Sequence, residues 1–218
     1  MIIRCYRLVL AALAGLLIVQ VPAAAHPHVW VTVKSELVYA PDGSITGVRH
    51  AWTFDDMFSV FATQGLEQKK KGEFTREELA PLAKVNVESL KEYDFFTYAK
   101  ANGQKVEFNE PAAGYYLVFD PKQTALTLHF LLPLKTPLKA KDLSIDIFDR
   151  DFFVDFGLAE KDPVKLVGAP AQCKLTVGRP QEMGAAMSQQ LSQIGPDQRD
   201  SGANLGTEFA NKIMVKCP

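Results

Sequence analysis

Hydrophobic and polar positions alternate with a period of two near the start of the chain. Between residues 28 and 40, three valines spaced two positions apart alternate with a histidine, a tryptophan and a threonine. This alternation predicts a half-buried β-strand. The sequence Pro41-Asp42-Gly43-Ser44 is typical of a tight turn, and a second strand pattern follows from Ile45 to Phe54. The two runs together predict a β-hairpin.

The period changes to that of a helix directly after this hairpin. Met57, Val60 and Phe61 form a helical stripe, and Thr75 and Glu78 have the spacing of a capping box at a helix start. Residues 56–92 are therefore predicted to form a helical insertion between strands.

Strand patterns return after the insertion, as short apolar runs separated by turn residues such as Asn102-Gly103. Strands at this spacing predict a mainly β fold, an antiparallel β-sandwich of the immunoglobulin-like type. The predicted strands cover 95–99, 105–108, 115–119, 124–132, 143–148, 164–167, 173–177 and 213–217.

The first 25 residues have the order of a secretory signal peptide. Arg4 and Arg7 precede an apolar run from Leu8 to Val19, and small residues follow up to Ala25. Cleavage after Ala25 would place the protein in the periplasm and make His26 the first residue. The predicted domains are then 1–25, a signal peptide; 26–178, the sandwich; and 179–218, a flexible segment and tail.

The charge of the mature chain argues against a nucleic-acid partner. Removing the signal peptide leaves 22 basic residues against 25 acidic ones, whereas nucleic-acid binding requires a basic surface. Two cysteines remain, Cys173 and Cys217, and an even count in an oxidising compartment predicts a disulfide that ties the tail to the sandwich. A soft metal site is the alternative, but the sequence has no Cys-x-x-Cys.

The chain has only four histidines, and two of them, His26 and His28, stand at the predicted mature N-terminus. Imidazole is the commonest side-chain ligand for transition metals. A terminal histidine adds an α-amine with a pKa of about 8, which can deprotonate on metal binding. Pro27 has no amide hydrogen, so a copper site through a deprotonated backbone amide cannot form there.

The hairpin brings a carboxylate to the same place. A tight turn at Asp42-Gly43 pairs residues whose numbers sum to about 85, so that Trp30 lies opposite Asp55. Asp55 then shares a face with His28, within reach of a long side chain. The other two histidines are less clear: His50 falls on the apolar face, where a buried, hydrogen-bonded role is favoured, and a ligand role for His129 stays open.

An acidic cluster precedes the last strands, with Asp146, Asp149, Asp151 and Asp155 close together in sequence. These carboxylates could complete a metal site with histidines. The alternative is a turn of solvated acids with Arg150 as their partner.

Other classes of site fit poorly. The segment from 67 to 78 has the glycine and glutamate spacing of a calcium loop, but Lys69 and Lys71 occupy ligand positions and would repel the cation. The sequence also has no Gly-x-Ser-x-Gly, no His-Glu-x-x-His and no phosphate loop. The sequence therefore favours a binding protein over an enzyme.

The His-Pro-His-Val-Trp-Val opening at 26–31 resembles a group of bacterial periplasmic proteins of unassigned function, the domain of unknown function numbered one thousand and seven. The Trp-Thr-Phe-Asp-Asp-Met-Phe-Ser segment at 52–59, Phe148-Asp149 with its following aromatic pair, and the late cysteine resemble it too. The resemblance implies a periplasmic component of an uncharacterised ABC-type transport system, associated with nickel, cobalt or zinc transporters. By motif match, it implies metal ligands at His26, His28, Asp55 and Asp149.

Three functional hypotheses follow. The leading one is a periplasmic protein that binds a divalent transition metal, zinc before nickel or cobalt, and supports a membrane metal transporter. The second is a copper-dependent oxidative enzyme that uses the N-terminal histidine. The third is a non-catalytic module that contacts another envelope protein.

Overall fold

The computed structural model of the chain describes residues 27–180 and 205–218. The predicted signal peptide, His26 and most of the predicted flexible segment lie outside the described residues. The same holds for the cleavage point after Ala25.

The described residues form two β-sheets, which confirms the predicted mainly β fold. One sheet has the order β5-β6-β2-β1-β8, with β9 also paired to β1, and the other has the order β10-β11-β7-β3-β4. The strands are β1 Val29–Tyr39, β2 Ile45–Phe54, β3 Thr97–Ala101, β4 Gln104–Val106, β5 Tyr116–Asp120, β6 Ala125–Leu138, β7 Asp142–Ile147, β8 Val154–Leu158, β9 Val164–Val167, β10 Lys174–Gly178 and β11 Asn211–Lys216.

The hairpin has the register predicted from the sequence. Val31 pairs with Phe54 and Val33 pairs with Trp52, which places all four side chains on one face. At the turn, the Asp42 carboxylate accepts the backbone N–H of Ser44 at 2.9 Å. This register fixes where β1 begins relative to the end of β2.

Strand β8 was not predicted from the sequence, and it lies parallel to β1 as its neighbour in the first sheet. Val29 pairs with Val154 and Val31 pairs with Phe156. The segment contains Asp155 and Gly157, which are poor strand formers, and it follows a run of acids that suggested a turn. β9 also runs parallel to β1, so this sheet is mixed, whereas the other is antiparallel.

The helical insertion is present and packs on the first sheet. It contains α1, Asp56–Thr63, and α2, Arg76–Ser89, followed by a 3-10 segment at Leu90–Phe96. The Ser59 hydroxyl accepts the backbone N–H of Leu126 at 2.9 Å, which ties α1 to β6. β3 begins two residues later than predicted because the residues from Asp94 to Phe96 have positive φ values and cannot belong to a strand.

The C-terminal strand is held by the predicted disulfide between Cys173 and Cys217. A second 3-10 segment, Leu205–Phe209, precedes that strand. Within 27–180 and 205–218, the helices are too short and too polar to cross a bilayer.

Candidate functional site

His28 is exposed and lies one residue before β1. Its backbone N–H donates to the carbonyl of Phe153 at 2.9 Å, and its imidazole lies over the Phe153 ring with the centroids 4.6 Å apart. The Phe153 carbonyl also accepts the N–H of Val29 at 3.4 Å. Phe153 therefore fixes both the backbone and the ring of His28.

Asp55 lies at the same end of β1, where it caps α1. One carboxylate oxygen accepts the backbone N–H of Phe58 at 2.8 Å, and the other accepts the N–H of Trp30 at 2.9 Å. The Asp55 N–H returns a bond to the Trp30 carbonyl at 2.9 Å. Each carboxylate oxygen can accept two bonds, so both keep one lone pair for a cation.

Asp149 has a different environment, because it is only 5% exposed. One of its oxygens accepts the N–H of Asp151 at 3.1 Å, and the other accepts those of Phe153 and Val154, both at 3.0 Å. A carboxylate with three amide donors is bound into the backbone of its own loop. Asp149 thus orders the loop that carries Phe153, and this disfavours a ligand role for it.

These side chains therefore differ in how well each could bind a metal ion. Within the part of the chain that the structure describes, no group of three or more histidine, cysteine or acidic side chains could hold a metal ion. His26 lies outside that part, next to Pro27. His28 and Asp55 bring an imidazole and a carboxylate to the same end of β1.

His50 is fully buried, as favoured from its place on the apolar face of the hairpin. Its Nδ1 lies 2.9 Å from the Ser35 hydroxyl, and its Nε2 lies 3.4 Å from the Thr97 hydroxyl. Burial lowers the pKa of His50 to about 3, because the charged imidazolium would lose its hydration. His50 is a neutral group that links the two sheets.

His129 lies at a contact between a strand and a helix. Its ring, on β6, stacks on the ring of Tyr116 in β5 with the centroids 4.7 Å apart. The guanidinium of Arg76, at the start of α2, lies 3.8 Å from the centroid of the Tyr116 ring. Partial burial lowers the pKa of His129, and the Arg76 charge lowers it further. The His129 ring is therefore held against an aromatic ring and beside a cation.

The acidic cluster does not converge on one point. Burial raises the pKa of Asp146 and that of Asp155, whereas Asp149 binds its own loop. Arg150 pairs with Asp94 at 3.0 Å and lies over the Tyr98 ring at 4.8 Å. The partner of Arg150 is therefore an aspartate from the end of the helical insertion.

A pocket of about 200 Å³, which was not predicted from the sequence, opens next to this site. Asp149 and Phe153 belong to its wall, so the loop that supports His28 also closes the pocket. Its lining is mostly apolar and includes Val29, Val31, Trp52, Phe96, Leu128 and Phe156. Phe153 and Phe156 are the sequence signal that could have located the pocket, but strand β8, which was not predicted, is what brings them against β1.

Comparison with known proteins identifies relatives but no activity. A family model described as "Protein of unknown function (DUF1007)" matches residues 11–217. An uncharacterized protein of Haemophilus influenzae is 22% identical over 196 residues, which cover 88% of this chain and 91% of the relative. An uncharacterized 15.5 kDa protein from the trpE 3' region of Spirochaeta aurantia is 31% identical over 96 residues, 44% of this chain and 66% of the relative.

Proposed function

The chain belongs to the DUF1007 family of proteins of unknown function, and we propose that it is an exported protein that captures a divalent transition metal at its mature N-terminus. The observation that carries the proposal is the placement of His28. The residue is exposed but held at backbone and ring by Phe153, with the Asp55 carboxylate bound to the strand two residues further on. An imidazole in a fixed orientation and a nearby carboxylate with free lone pairs supply two of the four ligands that a metal site needs.

The other two ligands come from His26, once the chain is cleaved after Ala25. Its α-amine and imidazole would join the His28 imidazole and one Asp55 oxygen to give four nitrogen and oxygen donors. Zinc takes four such donors in a tetrahedral arrangement, whereas nickel and cobalt also accept imidazole ligands. Asp149 has a positioning role in this proposal, because its three amide bonds order the loop of Phe153.

The exposure of His28 supports a role in transfer rather than in storage. A metal at an exposed chain terminus can be passed to a partner by ligand exchange, whereas a structural zinc site is closed. We propose that the partner is a membrane metal transporter and that the protein acts in the periplasm. The disulfide between Cys173 and Cys217 is compatible with that oxidising compartment.

The test uses protein purified from the periplasm of the expressing cell, with its N-terminus determined by mass spectrometry. We expect calorimetric titration to show one zinc ion bound per chain, with a Kd below about 10 μM. His28→Ala should weaken binding by more than tenfold. A single alanine inserted before His26 moves the amine away from the imidazole and should weaken binding comparably.

The control is His129→Ala, which removes an imidazole that stacks on Tyr116 at a strand–helix contact. It should leave the zinc affinity unchanged. The proposal fails if zinc, nickel, cobalt and copper all bind more weakly than about 10 μM, or if the inserted alanine has no effect.

A second candidate function is a non-catalytic envelope interaction module, and the surface of α1 favours it. Met57 is 70% exposed and Phe61 is 75% exposed, although both are large apolar side chains. Under this alternative, Phe61→Ser would abolish the cellular phenotype and the double variant His26→Ala/His28→Ala would not. The metal-capture proposal expects the double variant to lose metal-dependent growth.

A further inference from the structure

We propose that the pocket between the first sheet and the helical insertion binds a small organic cation, a quaternary ammonium group on a compact apolar body. This inference goes beyond metal capture and does not depend on it. It rests on the enclosure of the pocket by two elements, on the aromatic rings in its lining and on the sign of the charges in its wall.

The pocket is a gap where the helical insertion packs on the first sheet. Val29, Phe54 and Leu128 line it from three neighbouring strands of that sheet, and Asn86 and Leu90 line it from the insertion. The volume is about 200 Å³, whereas an engineered cavity of about 150 Å³ with apolar walls binds benzene. A molecule somewhat larger than benzene therefore fits this space.

The pocket opens to solvent on the side of the insertion. Ser89, Tyr93 and Asp151, which belong to the lining, are exposed, whereas Trp52 and Phe156 are almost fully buried. The lining thus combines accessible polar residues with a buried apolar wall. A ligand that carries a polar group can therefore enter without opening the core.

Aromatic rings make up much of the lining. Phe54 of β2 and Phe58 of α1 stack with their centroids 4.6 Å apart, and Tyr93 and Phe96 of the 3-10 segment stack at 5.1 Å. Phe153 adds a ring from the loop before β8. The negative face of an aromatic ring attracts a cation within about 6 Å, and groups of such rings recognise quaternary ammonium ligands in other proteins. The lining therefore has the side chains of a site for an organic cation.

The charges in the wall are negative. Asp149 and Asp151 belong to the lining, and the described part of the lining contains no lysine, arginine or histidine. Arg150, the basic residue between them, pairs with Asp94 and lies over the Tyr98 ring. Asp149 is only 5% exposed, so water and salt screen its charge less than that of a surface carboxylate. The wall therefore attracts a cation and repels a carboxylate or a phosphate.

The bonds of Asp149 favour a quaternary over a primary ammonium group. Its carboxylate already accepts three amide hydrogens, so it offers the attraction of its charge rather than a further strong hydrogen bond. A primary ammonium brings three N–H donors, and buried donors without acceptors cost free energy. A quaternary ammonium has no N–H, and its methyl groups pack against apolar walls and aromatic rings.

The test compares probes of similar shape and different charge. They are choline, 3,3-dimethylbutan-1-ol, in which a neutral carbon replaces the nitrogen, and the anion 3,3-dimethylbutanoate. Proton–nitrogen NMR of isotope-labelled protein from the periplasm follows the backbone amides of Tyr93 and Phe153, at constant ionic strength and with a chelator, so that the outcome does not depend on metal capture. We expect choline to move these peaks saturably with a Kd of about 1 mM or tighter. The neutral alcohol should bind about tenfold more weakly, and the anion should not bind.

Two pairs of variants locate the site. Asp151→Asn removes one wall charge and should weaken choline binding about threefold or more without changing the affinity for the neutral alcohol. Glu160→Gln removes an exposed carboxylate outside the lining and should change neither affinity. Ser89→Leu adds bulk to the lining and should weaken choline binding about tenfold, whereas Glu88→Leu adds bulk to the neighbouring exposed residue outside the lining and should not.

Four results would overturn the proposal. They are no saturable shift by choline; binding of the neutral alcohol or the anion that is as tight as that of choline; equal effects of Asp151→Asn and Glu160→Gln on choline; and equal effects of the two leucine variants. The spectra report whether each variant is folded, and the comparison of the probes on the unmodified protein stands without any variant.

Discussion

The carboxylate of Asp149 accepts the backbone N–H of Phe153 at 3.0 Å, and Phe153 in turn carries His28. The Phe153 carbonyl accepts the His28 N–H at 2.9 Å, and the two rings lie 4.6 Å apart. A buried aspartate therefore acts on an exposed histidine through one intermediate residue. In the proposed metal site, this relationship would make His28 a ligand and Asp149 a residue that positions it, two roles that the sequence could not distinguish.

Asp149→Asn is the substitution that tests the positioning role. It replaces one acceptor oxygen by an amide donor that faces backbone N–H groups. We expect the free energy of unfolding to fall by about 2–4 kcal/mol, because buried charge-assisted hydrogen bonds are lost. Chemical unfolding in urea measures this change, and Glu160→Gln, which alters an exposed carboxylate outside this loop, should change it by less than about 0.5 kcal/mol.

The cobalt spectrum distinguishes the two roles of Asp149. If Asp149 positions His28, the Co²⁺ complex of Asp149→Asn keeps the absorption bands of the unmodified protein and binds more weakly. A changed coordination spectrum in a variant of unchanged stability would make Asp149 a ligand instead.

A substitution of Asp55 separates the effect on stability from the effect on metal binding more clearly. Asparagine is as good a helix N-cap as aspartate, so Asp55→Asn should retain the bond from Phe58 and lose only the one from Trp30. We expect a stability cost of about 1 kcal/mol but a loss of zinc affinity of more than tenfold, measured by calorimetry. Equal zinc affinity in Asp55→Asn and the unmodified protein would remove Asp55 from the ligand set.

Local structure was predictable from the sequence where a single sequence pattern determines it, as in the first hairpin. The register of β1 and β2 follows from one turn at Asp42-Gly43, and the same register placed His50 on the buried face. The path from Asp149 to His28 was not predictable, because it depends on β8 running parallel to β1. Parallel neighbours are distant in sequence, and Asp155 and Gly157 conceal the strand pattern.

The disulfide between Cys173 and Cys217 should stabilise the fold without affecting the metal site. It closes a loop across a separation of 44 residues, which corresponds to about 4 kcal/mol of unfolded-state entropy. Replacing both cysteines by serine should lower the urea midpoint accordingly. Zinc affinity measured under native conditions should be unchanged, and a loss of it would revive the alternative of a thiolate metal site.

His50 should make the protein sensitive to acid. Its pKa is about 3 in the folded state and about 6.5 when unfolded, so the neutral form is the one that folding favours. Above pH 6.5 neither state binds the proton, and the full stability is present. As the pH falls from 6.5 towards 3, only the unfolded state takes up the proton, and stability falls by about 1.4 kcal/mol per pH unit.

His50→Gln removes this titration but keeps a side chain that can bond to Ser35, and it should cost stability at neutral pH. Its unfolding free energy should depend less steeply on pH between 6.5 and 4, measured by urea unfolding, whereas parallel curves for the two proteins would contradict the assignment. Acids such as Asp146 titrate in both proteins and therefore cancel in the comparison.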